Sequence, residues 1–182
     1  MSTISTTAAG RGSRASTTEC GAKPSSGGQR AARQADELGE LFGLGGFAAC
    51  GLDGRPENAD QARRFVALTL NDWALEDLVS DMAAIAGELV ANAVHHALTP
   101  EASGDLAEYP LWLGLFRHPE SLVCSVADPS PEPPRLPAAG GPEPAGRGLG
   151  LIDELSDDWS WSLTPPRGKT VWASLPLSVH AA

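Results

Sequence analysis

The hydrophobic pattern between residues 76 and 98 predicts an amphipathic helix, which ends before Pro100 because proline cannot continue a helix. At about 100° per residue, one narrow stripe of this helix is apolar. The stripe consists of Leu78, Met82, Ile85, Leu89 and Ala93. The pattern therefore predicts that the helix buries one face in the core of a domain.

Two polar residues interrupt this stripe, and a carboxylate lies on its flank. Asn92 and His96 fall within the stripe, and Glu88 lies one helical turn before Asn92. A buried amide or carboxylate without a partner costs about 1–3 kcal/mol. One interpretation is a core helix whose polar groups bond to neighbouring backbone. The other is a polar pocket in which the amide oxygen binds Mg²⁺ and the carboxylate accepts a proton from a hydroxyl.

An earlier helix is predicted over residues 59–72, where apolar residues also recur at helical spacing. Asn58 or Asp60 is expected to cap its first turn, because short polar side chains bond to the free N–H groups there. Arg63 and Arg64 are expected on the solvated side of this helix, away from the core.

Alternating apolar residues predict strands in the remainder of the chain. The predicted strands span residues 47–50, 109–117, 121–127, 159–163 and 170–175. A short helix over residues 146–155 begins in a glycine-rich run. These elements predict an α+β fold, a two-layer α/β sandwich with helices on one face of a mixed, mostly antiparallel sheet.

Composition separates a tail from a single domain. Residues 1–35 are rich in small polar residues and predict a disordered tail, which leaves residues 36–182 for the domain. The tail has five basic residues and one acid, a sum of +4, so the net charge of −10 leaves −14 on the domain. An acidic domain argues against nucleic-acid binding but is compatible with binding a nucleotide.

The sequence also predicts where the protein works. It has no apolar run of membrane-spanning length, and its first residues lack the apolar core of a secretory leader. Cys20, Cys50 and Cys124 fit neither a disulfide framework nor a metal-binding spacing. We therefore expect a cytoplasmic protein with reduced thiols and no membrane partner.

A proline-rich segment over residues 128–145 shows no periodicity of a regular element. It is long for a passive connection, so it is either an active-site lid or a flexible surface loop. Gly146, Gly148 and Gly150 follow it and lead into the short helix. Glycines at a helix start let backbone N–H groups approach an anion such as phosphate, which the helix dipole also favours.

Taken in order, these motifs resemble those of the Bergerat-fold ATPases, the superfamily of gyrase B, MutL and the histidine kinases. The sequence is most similar to the anti-sigma-factor serine/threonine kinases and their small actinobacterial relatives, over residues 54–177. The resemblance rests on the N-box at 88–97 (ELVANAVHHA), two glycine-box positions at 128–130 (DPS) and 146–151 (GRGLGL), and a final strand at 168–172 (GKTVW).

The resemblance implies ATP and Mg²⁺ as cofactors and assigns roles to individual residues. Asn92 would coordinate the Mg²⁺ that bridges the phosphates, and Glu88 would be the catalytic base for a partner's hydroxyl. Asp128 would accept a hydrogen bond from the adenine amino group, with Thr170 helping to hold the same edge. The other nucleotide-binding residues that it implies are His96, Ser130, Gly146, Arg147, Gly148, Leu149 and Gly150.

By the same resemblance, the protein is a regulatory serine/threonine kinase of the anti-sigma-factor type. It would bind a sigma factor, transfer the γ-phosphate of ATP to a serine or threonine of an anti-sigma antagonist, and form a homodimer. Glu88 favours this activity, because histidine kinases usually have Asn there. An orphan histidine-kinase catalytic domain is disfavoured, since the sequence before the domain predicts no dimerising hairpin with a phospho-acceptor His.

One departure from the superfamily motif supports a second hypothesis. Glycines normally follow the adenine-binding Asp, whereas Pro129, Ser130, Pro131 and Glu132 stand here. A changed lid affects turnover more directly than it affects the fold. The alternative is therefore a non-catalytic, ATP-gated protein-binding module that regulates transcription.

Overall fold

A computed structural model describes residues 16–17, 45–98, 110–134, 147–165 and 168–177. The strands are β1 (Ser16–Thr17), β2 (Gly46–Leu52), β3 (Leu111–Arg117), β4 (Ser121–Asp128), β5 (Asp158–Leu163) and β6 (Lys169–Pro176). The helices are α1 (Asn58–Asp72), α2 (Val79–Ala97) and α3 (Arg147–Leu155), and a short 3-10 helix (Glu76–Leu78) leads into α2.

The strands of the described ranges form one sheet in the order β1-β2-β3-β4-β6-β5. β1 pairs with β2 in parallel, and every other neighbouring pair is antiparallel. The prediction of an α+β fold with a mixed, mostly antiparallel sheet is therefore confirmed. β1 itself differs from the sequence prediction, because Ser16 and Thr17 were assigned to a disordered tail and instead pair with Ala48 and Ala49.

The strands alternate between a buried and a more open face, as the period of two requires. Leu113 pairs with Val126, and Val126 pairs with Val171, so these three side chains share one face of the sheet. All three are buried in the core together with the apolar stripes of α1 and α2. The helices thus cover the face on which β4 and β6 present their buried residues.

The amphipathic helix predicted over residues 76–98 is present as α2, but its first turn differs from the prediction. Met82, Ile85, Leu89 and Ala93 are all buried, which confirms the apolar stripe. Residues 76–78 are 3-10 helix rather than α-helix, and α2 ends at Ala97. Because α2 packs against α1, α3 and β4, its polar flank lies at the junction of these elements.

The predicted cap of α1 is wrong. Asn58 is the first residue of the helix and Glu57 holds the cap position, without a side-chain cap hydrogen bond. The Asn58 Oδ1 atom instead accepts hydrogen bonds from the backbone N–H groups of Gly54 and Arg55, at 2.7 and 2.8 Å. The buried amide therefore stabilises the turn before the helix rather than its first turn.

The cysteines only partly match the sequence prediction. Cys124 is a free thiol that is fully buried on β4, and burial raises its pKa to about 12. Cys50 is disulfide-bonded, so the expectation of reduced thiols is wrong at this position. Within the described ranges, no helix has the length and apolarity that crossing a membrane requires.

Candidate functional site

A cavity of about 270 Å³ lies beneath α2 and α3, above the ends of β4 and β6. Its apolar walls come from both layers and include Leu89, Ala93, Val126, Leu149 and Val171. α2 contributes the polar side chains of Asn92, His95 and His96, and the two strands contribute Asp128 and Lys169. An apolar cleft with a few convergent polar groups is typical of a small-molecule site.

Asp128 and Lys169 form a buried ion pair at the sheet end of this cavity. They are cross-strand partners on β4 and β6, so both side chains point to the helix-covered face. The Lys169 Nζ atom lies 3.0 Å from each carboxylate oxygen of Asp128. The Lys169 side chain is 7 % exposed and the Asp128 side chain is 2 % exposed. Gly168, with a φ of 117°, lets β6 begin directly against the Asp128 carbonyl oxygen.

Burial and hydrogen bonding act on the Asp128 carboxyl in opposite directions. Burial raises its pKa, whereas the hydrogen bond and charge of Lys169 and the backbone N–H of Ser130 lower it. The Ser130 N–H donates to Oδ1 at 2.9 Å, and the Ser130 carbonyl accepts from Lys169 at 3.3 Å. Burial is the larger effect, so the pKa of the Asp128 carboxyl lies above its ordinary value, and Lys169 limits this rise.

The structure corrects the predicted position of Thr170. Successive residues of a strand point to opposite faces, so the register that brings Lys169 and Val171 to the cavity turns Thr170 away from it. The Thr170 Oγ1 atom instead shares a hydrogen bond with Thr164 Oγ1 at 2.8 Å. The sequence prediction therefore missed Lys169, although its inward phase could have been inferred from the apolar residues Val171, Ala173 and Leu175.

Glu88 and Asn92 both face the first turn of α3. A Cβ atom placed on Gly148 would lie 2.6 Å from Glu88 Oε2 and 3.2 Å from Asn92 Nδ2. Only a glycine permits so close an approach between the backbone of α3 and these two side chains. The carboxylate, the amide and the glycine-led helix start are thus brought together, as the sequence predicted for Glu88, Asn92 and Gly148.

A comparison with protein families decides the class of this chain. The sequence model of the histidine kinase-like ATPase domain matches residues 52–175, which is more than half of the 182 residues. The chain belongs to this family. The histidine kinase-like ATPase domain confirms the Bergerat-type superfamily and supports ATP binding, while the anti-sigma-factor subtype stays a prediction. A comparison with curated proteins gives no match.

Arg63 is a further charged residue beside this site that the sequence analysis did not assign to it. Its side chain is 41 % exposed, as expected for the solvated side of α1, and Nη1 donates to Asp60 Oδ1 at 2.8 Å. Its guanidinium also lies against Gly87 of α2. A Cβ atom on Gly87 would lie 2.5 Å from Arg63 Nε. Arg63 Nη2 lies 3.8 Å from Glu88 Oε1, so a positive charge stands beside the proposed base. A glycine inside an amphipathic helix was the available signal for this contact.

The Asn92 side chain has a hydrogen-bonding group that a ligand in the cavity could satisfy. Its Nδ2 atom is buried and has no hydrogen-bond partner among the described residues. A buried polar atom without a partner costs free energy that a bound ligand would recover. Those residues contain no group of three His, Cys, Asp or Glu side chains able to hold a metal. The set therefore fits Mg²⁺ only when phosphate oxygens and water complete its coordination.

The other predicted residues of the ATPase domain occupy different positions around the cavity. His96 is exposed on α2 and lines the cavity, and Leu149 is buried in its wall. Ser130 acts through its backbone, which bonds to the Asp128–Lys169 pair. Gly150 is exposed, and a Cβ there would meet nothing within 4 Å, so the structure does not bring it to the cavity. Gly146 and the Arg147 side chain lie outside the described residues.

Replacing Gly148 by Ala should reduce turnover of ATP without unfolding the domain. The new Cβ would push against the far end of the Glu88 side chain, which can move at little cost in stability. A carboxylate displaced by about 1 Å can cost up to about 10²-fold in rate. Gly150→Ala in the same helix is the matched control, because its new methyl group meets open space. Equal turnover in the two variants would contradict the contact between Gly148 and Glu88.

Proposed function

We propose that this protein is an ATP-binding serine/threonine kinase of the anti-sigma-factor type. The observation that carries the proposal is the contact of both Glu88 and Asn92 with Gly148 at the start of α3. A base, an amide and a glycine-led helix start are the parts that phosphoryl transfer to a hydroxyl needs. The sigma factor, the anti-sigma antagonist and the homodimer are inferred from the sequence resemblance, and the cytoplasmic location is inferred from the composition and the cysteine pattern.

In this proposal, the sheet end of the cavity binds the adenine base. Asp128 accepts a hydrogen bond from the adenine amino group, and Ser130 and Lys169 hold its carboxylate in place. The apolar side chains of Leu89, Val126 and Val171 contact the faces of the base. A fixed acceptor in an apolar cleft favours a base that offers an N–H donor at that point, because an unpaired buried carboxylate is costly.

The helix end of the site binds the phosphates. The backbone N–H groups of the first turn of α3 and the positive end of its dipole favour an anion there. Asn92 and phosphate oxygens would hold Mg²⁺, which when bound neutralises part of the phosphate charge. His96 lines the same cavity and supplies a further polar group from α2.

Glu88 acts as the general base on a partner protein. Its carboxylate takes the proton from the serine or threonine hydroxyl as the hydroxyl oxygen bonds to the γ-phosphorus and ADP leaves. Arg63 Nη2 lies 3.8 Å from Glu88 Oε1, so a positive charge stands beside the carboxylate that receives the proton. Glu88 is half-buried, so a partner hydroxyl can approach it from solvent.

A second candidate is an ATP-gated binding module without phosphoryl transfer. The observation that favours it is Pro129 and Pro131 beside Ser130, where the superfamily has glycines. Proline fixes φ and restricts the residue before it, so the segment over the cavity has fewer conformations. In this second candidate, bound ATP changes the affinity of the protein for a partner protein, and ATP is released without being hydrolysed or transferring its phosphate.

The test uses the full chain in two assays. Calorimetric titration with ATP and Mg²⁺ should give saturable binding, and ATP labelled at the γ-phosphate should transfer label to serine or threonine of a protein in a lysate. Binding with transfer supports the kinase, and binding without transfer supports the gated module. Absence of saturable ATP binding would contradict both candidates.

A further inference from the structure

The ion pair of Asp128 and Lys169 places a donor directly beside an acceptor at the base end of the cavity. Both residues line the cavity, and Lys169 Nζ lies 3.0 Å from each oxygen of Asp128. The resemblance gave a role to Asp128 and none to Lys169. The pair is neutral as a whole, so this end of the cavity suits an uncharged aromatic ring rather than a phosphate.

The Watson–Crick edge of adenine has the complementary order of groups. The exocyclic N6 amino group donates, and the adjacent ring nitrogen N1 accepts. An ammonium group has three donors, and the longest of the three contacts that Lys169 makes is to the Ser130 carbonyl, at 3.3 Å. A ring nitrogen can share or replace that weakest contact without breaking the bonds to Asp128.

We propose that Lys169 is a base-specificity residue that donates a hydrogen bond to adenine N1 while Asp128 accepts from N6. This inference rests on the proposed function, because it requires that adenine occupies this end of the cavity. A strand keeps the two side chains in register, since Asp128 and Lys169 are directly opposed in the β4–β6 ladder. In this proposal, adenine is recognised by two charged groups from neighbouring strands.

The competing explanation is that Lys169 only neutralises Asp128 and never contacts a ligand. The two explanations predict different results when the N1 atom is removed from the ligand and the protein is left unchanged. In 1-deaza-ATP, a C–H group replaces N1, and the N6 amino group remains. A lysine that only neutralises Asp128 would not distinguish the two nucleotides.

Calorimetric titration of the wild-type chain with ATP and with 1-deaza-ATP, in the presence of Mg²⁺, measures this difference. Loss of a hydrogen bond to a charged donor should weaken binding of 1-deaza-ATP by about 10- to 100-fold. In Lys169→Met, ATP should bind more weakly and the ratio of the two dissociation constants should fall close to one. Ser174→Ala on the same strand is the control and should keep the wild-type ratio, because Ser174 Oγ bonds to the Asp158 carbonyl away from the cavity.

A second variant keeps the test valid if Lys169→Met does not fold. The double variant Asp128→Asn/Lys169→Met replaces both charges by neutral groups, so no buried charge is left without a partner. Its ratio should also be close to one. Equal binding of the two nucleotides to wild type, or a wild-type ratio in either variant, would overturn the role of Lys169. Failure of ATP itself to bind wild type would overturn the proposed function as well, which separates the two failures.

Discussion

Replacing Glu88 by Gln should lower phosphoryl transfer to a partner serine or threonine by about 10²- to 10⁴-fold. The amide has nearly the same size as the carboxylate but cannot take a proton from the attacking hydroxyl. ATP binding should persist, because the residues proposed to contact adenine, Asp128 and Lys169, lie at the other end of the site. The measurement is a γ-phosphate transfer assay beside a calorimetric titration of ATP.

The matched control for this variant is Glu154→Gln, which makes the same change at an exposed position of α3. It should transfer phosphate as the wild type does. If Glu88→Gln transfers phosphate at the wild-type rate, Glu88 is not the base. If it loses ATP binding together with transfer, Glu88 contributes to nucleotide binding rather than to proton transfer.

Replacing Asp128 by Ala should cost about 3–5 kcal/mol in the free energy of unfolding, in addition to abolishing ATP binding. The variant leaves the Lys169 ammonium group buried without its counter-charge, and both side chains are almost fully buried in the wild type. Chemical denaturation at fixed pH measures the loss. Asp158→Ala is the control, because its exposed carboxylate should contribute less than about 0.5 kcal/mol.

The double variant Asp128→Leu/Lys169→Met separates stability from recognition. Replacing a buried ion pair by apolar side chains of similar volume is often neutral, so the free energy of unfolding should return close to the wild-type value. ATP binding should remain abolished, because neither hydrogen-bonding group is present. If the double variant binds ATP normally, the ion pair does not recognise adenine. If Asp128→Ala is as stable as the wild type, the charge of Lys169 is solvated.

Local patterns predicted most of the fold. The apolar stripe of α2 and the alternation of β4 are dense enough to fix both the type and the buried face of each element. The apolar run of β3 fixes its type. The carboxylate and the amide of the site followed from the same pattern, because Asn92 is polar within the apolar stripe and Glu88 lies on its flank. The β1 strand was missed, since it depends on pairing between segments distant in sequence.

Two features of the site were missed, the inward position of Lys169 and the contact of Arg63 with Gly87. β6 begins at Lys169, one residue before its predicted start, so Lys169 was left out of the strand. The buried residues Val171, Ala173 and Leu175 give Lys169 the same inward phase that its register with Asp128 shows. Arg63 was assigned to the solvated side of α1, where its side chain is 41 % exposed, but the pattern of α1 alone does not reveal its contact with Gly87 on α2.

The buried Cys124 thiol gives this protein an internal reporter of its own opening. A thiol with a pKa near 12 is almost entirely protonated at neutral pH, and alkylating reagents react with the thiolate. Cys124 lies in the middle of β4 on the face that the helices cover, so a reagent reaches it only when the helices and the sheet open. The rate of its modification therefore follows the population of opened molecules, and any ligand that binds the closed form slows it in proportion to saturation.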